Sequence, residues 1–148
     1  MIALLQRVTN ASVRIDDEEI AVIGQGVLVL IGVERGDGDV EAEGLAERVI
    51  AYRMFGDAQG KMNLSLKDIG GELLAVPQFT LAADTASGLR PSFSSAASPA
   101  HGEALFIKFA EKAAENVHVA TGRFGADMRV SLVNDGPVTF WLQVKSKT

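Results

Sequence analysis

The sequence predicts an α+β fold, and three observations carry the prediction. Short apolar segments, several alternating at period two, fill the first third of the chain. Two longer segments, beginning near Asp39 and Ser98, repeat apolar residues at helical spacing. Alternating segments over 128–133 and 138–144 close the chain. The sum is about seven strands and two amphipathic helices. The length, 148 residues, suits one domain over 1–148, with no internal repeat or linker.

Ile2 to Val8 reads as a first strand and Ala11 to Ile15 as a second, half-buried one. Asp16-Asp17-Glu18-Glu19 is an acidic turn between strands. Glu19 to Ile23 and Gly26 to Val33 follow, the latter a continuous Val/Leu/Ile run that suits burial on both faces. Four strands joined by short turns form a meander. Asp39 is a natural N-cap, and Ala42, Leu45, Ala46, Val49, Ile50 and Arg53-Met54 then share one helical face. Residues 56–71 and 82–97 read as long loops on either side of a strand at Glu72 to Val76. Long loops in a compact domain are commonly functional. Ser98-Pro99 is an N-cap with proline at the first helical position, and the helix it opens carries an apolar stripe from Leu105 to Val117.

Composition narrows the function. Nineteen acidic residues against fourteen basic ones leave a charge of −5, so the chain is not one that coats nucleic acid through a basic face. It can still grip one nucleic-acid end locally. The absence of cysteine excludes disulfides, Fe–S clusters, thiolate zinc sites and a cysteine nucleophile, and fits a reducing cytosol. The first residues have no basic segment followed by an apolar run, and the longest apolar stretch is far too short to span a bilayer, so a cytoplasmic protein without membrane attachment is expected.

Catalytic motifs are scarce. His101, at the start of a helix and expected to be exposed, and His118 stand at no metal-ligand spacing. No phosphate loop, dinucleotide fingerprint or serine elbow is present. No metal and no cofactor are expected. An enzyme built this way must rely on backbone dipoles, shape and its substrate's own groups. Two segments stand out. Val76-Pro77-Gln78-Phe79-Thr80-Leu81 ends a strand at a proline and continues with an amide, an aromatic and a hydroxyl. By itself it reads as a strand leaving the core with Phe79 packed inside. Asn134-Asp135-Gly136-Pro137-Val138-Thr139 by itself reads as a hairpin turn between the last two strands.

Together the two segments resemble those of the D-aminoacyl-tRNA deacylases, homodimeric editing enzymes. Ile2-Ala3-Leu4-Leu5-Gln6-Arg7-Val8, Gly60-Lys61-Met62-Asn63-Leu64, Leu89-Arg90-Pro91-Ser92-Phe93 and Thr121-Gly122-Arg123-Phe124 extend the resemblance, in order, over all but the tail from Lys145. It implies a β-rich domain of mostly antiparallel strands in two sheets, with both helices packed on one side, and a pair of copies. The reaction implied is hydrolysis of the ester between a D-amino acid and the terminal adenosine of tRNA, a proofreading step. Gly136-Pro137 would be cis, and each subunit would push that dipeptide into the other's pocket. Its main-chain oxygens would then stand where an L side chain must go. Glycine has no side chain, so glycyl-tRNA mischarged on the alanine tRNA would enter too.

The resemblance makes Gln78, Phe79 and Thr80 the catalytic segment, with backbone groups holding the ester and the vicinal 2′-hydroxyl of the adenosine assisting. Gly136, Pro137 and Arg7 are the chiral-rejection residues; Arg7 either braces the loop or makes an ordinary surface ion pair. The family commonly carries serine where this chain has Pro77, which offers neither hydroxyl nor N–H. Thr80 is therefore the one hydroxyl of the motif, and with no adjacent base it suits positioning better than attack. Lys61, Lys67, Arg53 and Arg90 lie in or near the long loops and could touch tRNA phosphates, although each taken alone reads first as a solvated surface charge.

Overall fold

The computed structural model describes residues 1–147; Thr148, the end of the expected 1–148 domain, lies outside them. In chain order the elements are β1 (Ile2–Ile15), β2 (Glu18–Ile23), β3 (Gly26–Gly32), α1 (Asp39–Ala51), β4 (Arg53–Gly56), β5 (Met62–Ser65) and a short α2 (Leu66–Ile69). Then come β6 (Glu72–Pro77), a 3-10 turn (Phe79–Ala82), α3 (Pro99–Ala114), β7 (His118–Thr121) and β8 (Arg129–Gln143). The α+β expectation holds: six strands form one mixed sheet, β4 and β5 a second, and four of the six pairings are antiparallel.

The spine is β1. Along one edge it pairs with β8 from Ile2↔Gln143 to Arg14↔Arg129. Along the other, its first half pairs with β3 and its second half with β2. The two strands expected over 2–15 are thus one, because the ladder to β8 runs past the exposed Thr9-Asn10 break by a bulge. The expected meander is also corrected, since β2 and β3 both pair with β1. Gly26 lets the parallel strand β6 begin against β3: a Cβ there would lie 1.8 Å from the Glu72 carbonyl oxygen.

Two apolar clusters occupy the two faces of the sheet. Leu45, Val49, Leu105 and Phe109 of α1 and α3 pack on Ala3, Leu5, Val27, Val29 and Leu73. Val8, Val13, Ile23, Leu28, Leu74 and Val76, joined by Ala120, Val130 and Leu132, fill the other face, which the sheet curls around. Both helices thus pack on one side. β3 is buried on both faces as its composition required.

Several details differ from expectation. Gly38, not Asp39, is the N-cap of α1, and the Glu41 carboxylate accepts from its N–H at 3.1 Å. Arg53-Met54 leave the helix for β4, and the loop at 56–71 contains β5 and α2. β7 was not foreseen; it is four residues long and half-exposed, too short for a pattern. His101 is half-buried rather than exposed, its Nε2 2.6 Å from the Asp37 carbonyl oxygen.

A buried ion cluster ties the ends of β1, β3 and β8. The Met1 ammonium donates to Glu34 Oε1 and Asp37 Oδ1, each at 3.0 Å, and Gln143 Nε2 donates to Glu34 Oε1 at 2.8 Å. Burial pushes the Glu34 carboxyl pKa up, but hydrogen bonds from Gln143 and Met1 and the charges of Met1 and Lys145 outweigh it, leaving it below the usual 4.5. A depressed folded-state pKa stabilises fully above the unfolded value and loses that contribution as pH falls through the folded one. Glu34→Gln should therefore cost about 1.5 kcal/mol near neutrality, the scale of a charged hydrogen bond. Urea unfolding should show the gap from wild type closing as pH falls below about 4; a gap constant with pH would contradict the assignment.

Candidate active site

The Gln78–Thr80 segment sits where β6 runs out. Gln78 N–H donates to the Ile31 carbonyl at 2.8 Å, prolonging the β3–β6 ladder past Pro77 by one bond. The chain then tightens into the 3-10 turn, with Leu81 N–H on the Gln78 carbonyl and Ala83 N–H on that of Thr80. Gly32 permits this close turn: a Cβ would lie 3.0 Å from Leu81 Cβ and 3.1 Å from Ala82 N. The first N–H groups of such a turn, at Phe79 and Thr80, have no partner within it. Thr80 Oγ1 accepts from the Gln78 side-chain amide.

Phe79 is not packed inside. Its side chain is 59% exposed and leans on Phe93, ring centroids 5.3 Å apart. Phe93 arrives there because Asp84 and Ser92 pair through both backbone bonds and fold the long 82–97 loop back on itself.

A cleft of about 330 Å³ opens beside this segment, lined by Val76 to Phe79 on one wall and by Phe124, Gly125, Ala126, Asp127, Met128 and Val130 on the other. The second wall is held by glycine. Gly122 N–H donates to the Ala75 carbonyl at 2.8 Å, and a Cβ there would lie 2.8 Å from Met128 Sδ. Phe124 packs over Gly102 of α3, where a Cβ would meet the ring at 3.4 Å. Residues 124–130 were not among the candidates, although Thr121 to Phe124 figured in the resemblance; the glycines at 122 and 125 were the available signal. The one carboxylate in the lining, Asp127, points at solvent and at Arg129, 3.4 Å away. Neither histidine lines the cleft.

Arg7, Gly136 and Pro137 form a separate place. Asn134 to Thr139 is not a hairpin turn. β8 pairs with β1 on both sides of it, Gln6↔Thr139 and Val8↔Asn134, so residues 135–138 bulge out opposite Arg7 alone. Asn134 closes the base of the bulge: its Oδ1 accepts from Val138 N–H and its Nδ2 donates to Thr139 Oγ1, both at 3.0 Å. Arg7, mostly buried, donates Nε to the Asp135 carbonyl at 3.0 Å and Nη1 to the Met54 carbonyl at 2.9 Å. The Gly136–Pro137 bond is cis, Gly136 has φ +135, and both residues are exposed. None of the three lines the cleft of its own chain.

The comparisons with known proteins extend over both places. A family model described as D-Tyr-tRNA(Tyr) deacylase matches residues 4–143. The D-aminoacyl-tRNA deacylase of Histophilus somni (strain 2336) is 59% identical over 144 residues, covering 97% of this chain and all of that protein. That of Citrobacter koseri is 59% identical over 145 residues with the same coverage. Among solved structures, "c-Myc DNA Unwinding Element Binding Protein" superposes with a TM-score of 0.94 at 36% identity, covering 99% of this chain and 100% of that one. A probable eukaryotic D-amino acid tRNA deacylase superposes at 0.84 with 17% identity over 97% and 98% of the two chains, a likeness of fold. Since one model spans both the cleft and the bulge, and the bacterial relatives match end to end, the chain belongs to the D-Tyr-tRNA(Tyr) deacylase family.

Proposed function

We propose that this protein hydrolyses D-aminoacyl-tRNA in the cytoplasm, as a homodimer in which the Gly136–Pro137 loop of each copy reaches the cleft of the other. One observation carries the reading. The chain holds an open cleft beside Gln78 and Phe79 and, elsewhere, a braced, exposed loop that its own cleft does not use. Val133 and Trp141, 52% and 55% exposed, flank the loop on β8 and offer a second copy apolar surface.

The terminal adenosine and its amino acid occupy the cleft. Backbone N–H groups of Phe79 and Thr80 hold the ester and stabilise the oxyanion, and Gln78 fixes the Thr80 hydroxyl as a positioning group. Main-chain oxygens of the second copy's loop face the Cα, so an L side chain collides, a D side chain points away, and glycine passes. Glycine mischarged on the alanine tRNA is thus a further substrate. The carboxylate in the lining, Asp127, is turned to solvent and Arg129, so the 2′-hydroxyl of the adenosine assists the attack of water. An aminoacyl ester is labile enough for positioning and electrostatics to supply much of the acceleration.

A binding protein without catalysis is the second reading, favoured by the name of the solved relative at 36% identity. Release of free tyrosine from D- and L-tyrosyl-tRNA separates the two. The deacylase reading expects the D ester to be cleaved at least about a hundred-fold faster than the L ester, a gap of roughly 2.7 kcal/mol. Neither ester falling faster than its spontaneous rate would favour the binding protein.

A further inference from the structure

A second concavity, of about 520 Å³, opens between the end of α1, the β4–β5 ribbon and β8. It is lined by Arg48, Ala51, Tyr52, Arg53, Met62 and Phe140. Its floor is aromatic: Tyr52 and Phe140 are half-buried, with ring centroids 5.3 Å apart and planes at 60°. Its rim is cationic. Arg48, exposed in the last turn of α1, donates Nη1 to the Gln143 carbonyl at 3.3 Å and otherwise faces solvent. Arg53 is exposed on β4.

Among the described residues neither arginine has a carboxylate within 4.0 Å. Asp68 lies within electrostatic reach of Arg53 and offsets part of its charge, without an ion-pair contact, while its carboxylate accepts from the Ser65 N–H at 2.9 Å. Glu47, next to Arg48, pairs with Lys112 at 3.6 Å. A positive site thus persists in the half of the chain that is otherwise most acidic, with seven basic residues against thirteen acidic ones over 1–75.

Rings that bases can stack on, under guanidinium groups that pair with phosphates, are what a single-stranded nucleic acid needs from a protein. The location supplies the rest. Arg7 ties the Asp135 carbonyl of the projecting loop to the Met54 carbonyl, the residue after Arg53. Phe140 follows Pro137 by three positions on the same strand. The concavity thus adjoins the base of the loop that, in the dimer proposed above, reaches the other copy's cleft.

We propose that the Arg48–Arg53 concavity binds the single-stranded nucleotides preceding the terminal adenosine of the substrate tRNA. One base stacks on Tyr52 and Phe140, and the flanking phosphates pair with Arg48 and Arg53. The identity of the RNA rests on the reading in the preceding subsection; the chemistry of the concavity does not.

The test uses the full-length dimer and a fluorescein-labelled ACCA tetranucleotide, read by anisotropy over a salt series. Arg48→Gln/Arg53→Gln should weaken binding about ten-fold and flatten the slope of log affinity against log salt by roughly 1.4, as two single-strand phosphate contacts require. Arg53→Gln alone, which removes no hydrogen bond, should flatten it by roughly 0.7. Tyr52→Leu should weaken binding roughly five-fold or more through lost stacking, with the slope retained. Arg14→Gln, at the β1–β2 turn, should change neither. With D-tyrosyl-tRNA, the loss in the double variant should appear in KM. Unchanged affinity and slope in a folded double variant would overturn the proposal. So would dissociation of the dimer with RNA affinity retained, which would make the concavity an interface between copies. The tetranucleotide carries no ester, so a failure of the deacylase reading would show separately, as absent hydrolysis of D-tyrosyl-tRNA by the wild type.

Discussion

Gly136→Ala should lower kcat/KM for D-tyrosyl-tRNA by about two orders of magnitude or more, because a displacement of about 1 Å in a positioned group suffices for that loss. At φ +135 an L side chain is disfavoured, at a cost of about 1–3 kcal/mol. A Cβ would also lie 2.7 Å from Val138 Cγ2, 3.0 Å from Val138 N and 3.2 Å from Arg7 Nη2. None of these neighbours can simply retreat. Val138 N–H is held by Asn134, and Arg7 is anchored on the Asp135 and Met54 carbonyls. The loop must move instead, carrying its carbonyls away from where a substrate Cα would meet them. Because the loop is solvent-exposed, the thermal midpoint should fall by only a few degrees. Activity and D/L discrimination should suffer far more than stability. A variant with the wild-type D/L ratio would contradict a steric gate.

A tRNA ending in 2′-deoxyadenosine should be cleaved about a hundred-fold or more slowly, the lower range for loss of an acid–base participant. The lining of the cleft motivates this. Asp127 faces solvent beside Arg129, neither histidine lines the cleft, and Pro77 has no hydroxyl. The Thr80 hydroxyl accepts from the Gln78 amide and hydrogen-bonds to no carboxylate or imidazole among the described residues. Thr80→Ala should therefore cost less than about ten-fold, the scale of one neutral hydrogen bond. Single-turnover rates with the two tRNAs and the two proteins decide between substrate assistance and a threonine nucleophile. The reverse ranking, with the alanine variant dead and the deoxy substrate normal, would assign the attack to Thr80.

Much of this architecture is legible in the residues. The Gly26 to Val33 run had to be buried on both faces, and β3 is. Ser98-Pro99 opens α3, with the Ser98 hydroxyl accepting from His101 N–H. What was not legible shares a physical cause: local signals are degenerate where tertiary pairing decides. Asn134-Asp135-Gly136-Pro137 satisfies a hairpin turn and a strand bulge equally, and only the shared β1 edge on both sides distinguishes them. Thr9-Asn10 looks like a break until β8 runs past it. Phe79 has the composition of a core residue, but the 3-10 turn swings it out to meet Phe93, which a residue-by-residue pattern cannot foresee. Arg48 is by local pattern an ordinary surface charge of α1; only the fold brings Phe140, ninety-two positions later, beside it.

The cross-subunit gate is tested most directly by mixing two inactive proteins. Gly136→Ala spoils the loop and leaves the cleft open; Ala126→Trp fills the cleft and leaves the loop intact. Unfolded together and refolded at equal amounts, they form mixed dimers in which one cleft is open and faces an intact loop. Random pairing in a two-fold dimer then predicts D-tyrosyl-tRNA hydrolysis recovering to about a quarter of the wild-type rate, with D/L selectivity restored. A mixture no more active than its two parents would mean that each loop serves its own chain, and would contradict the account.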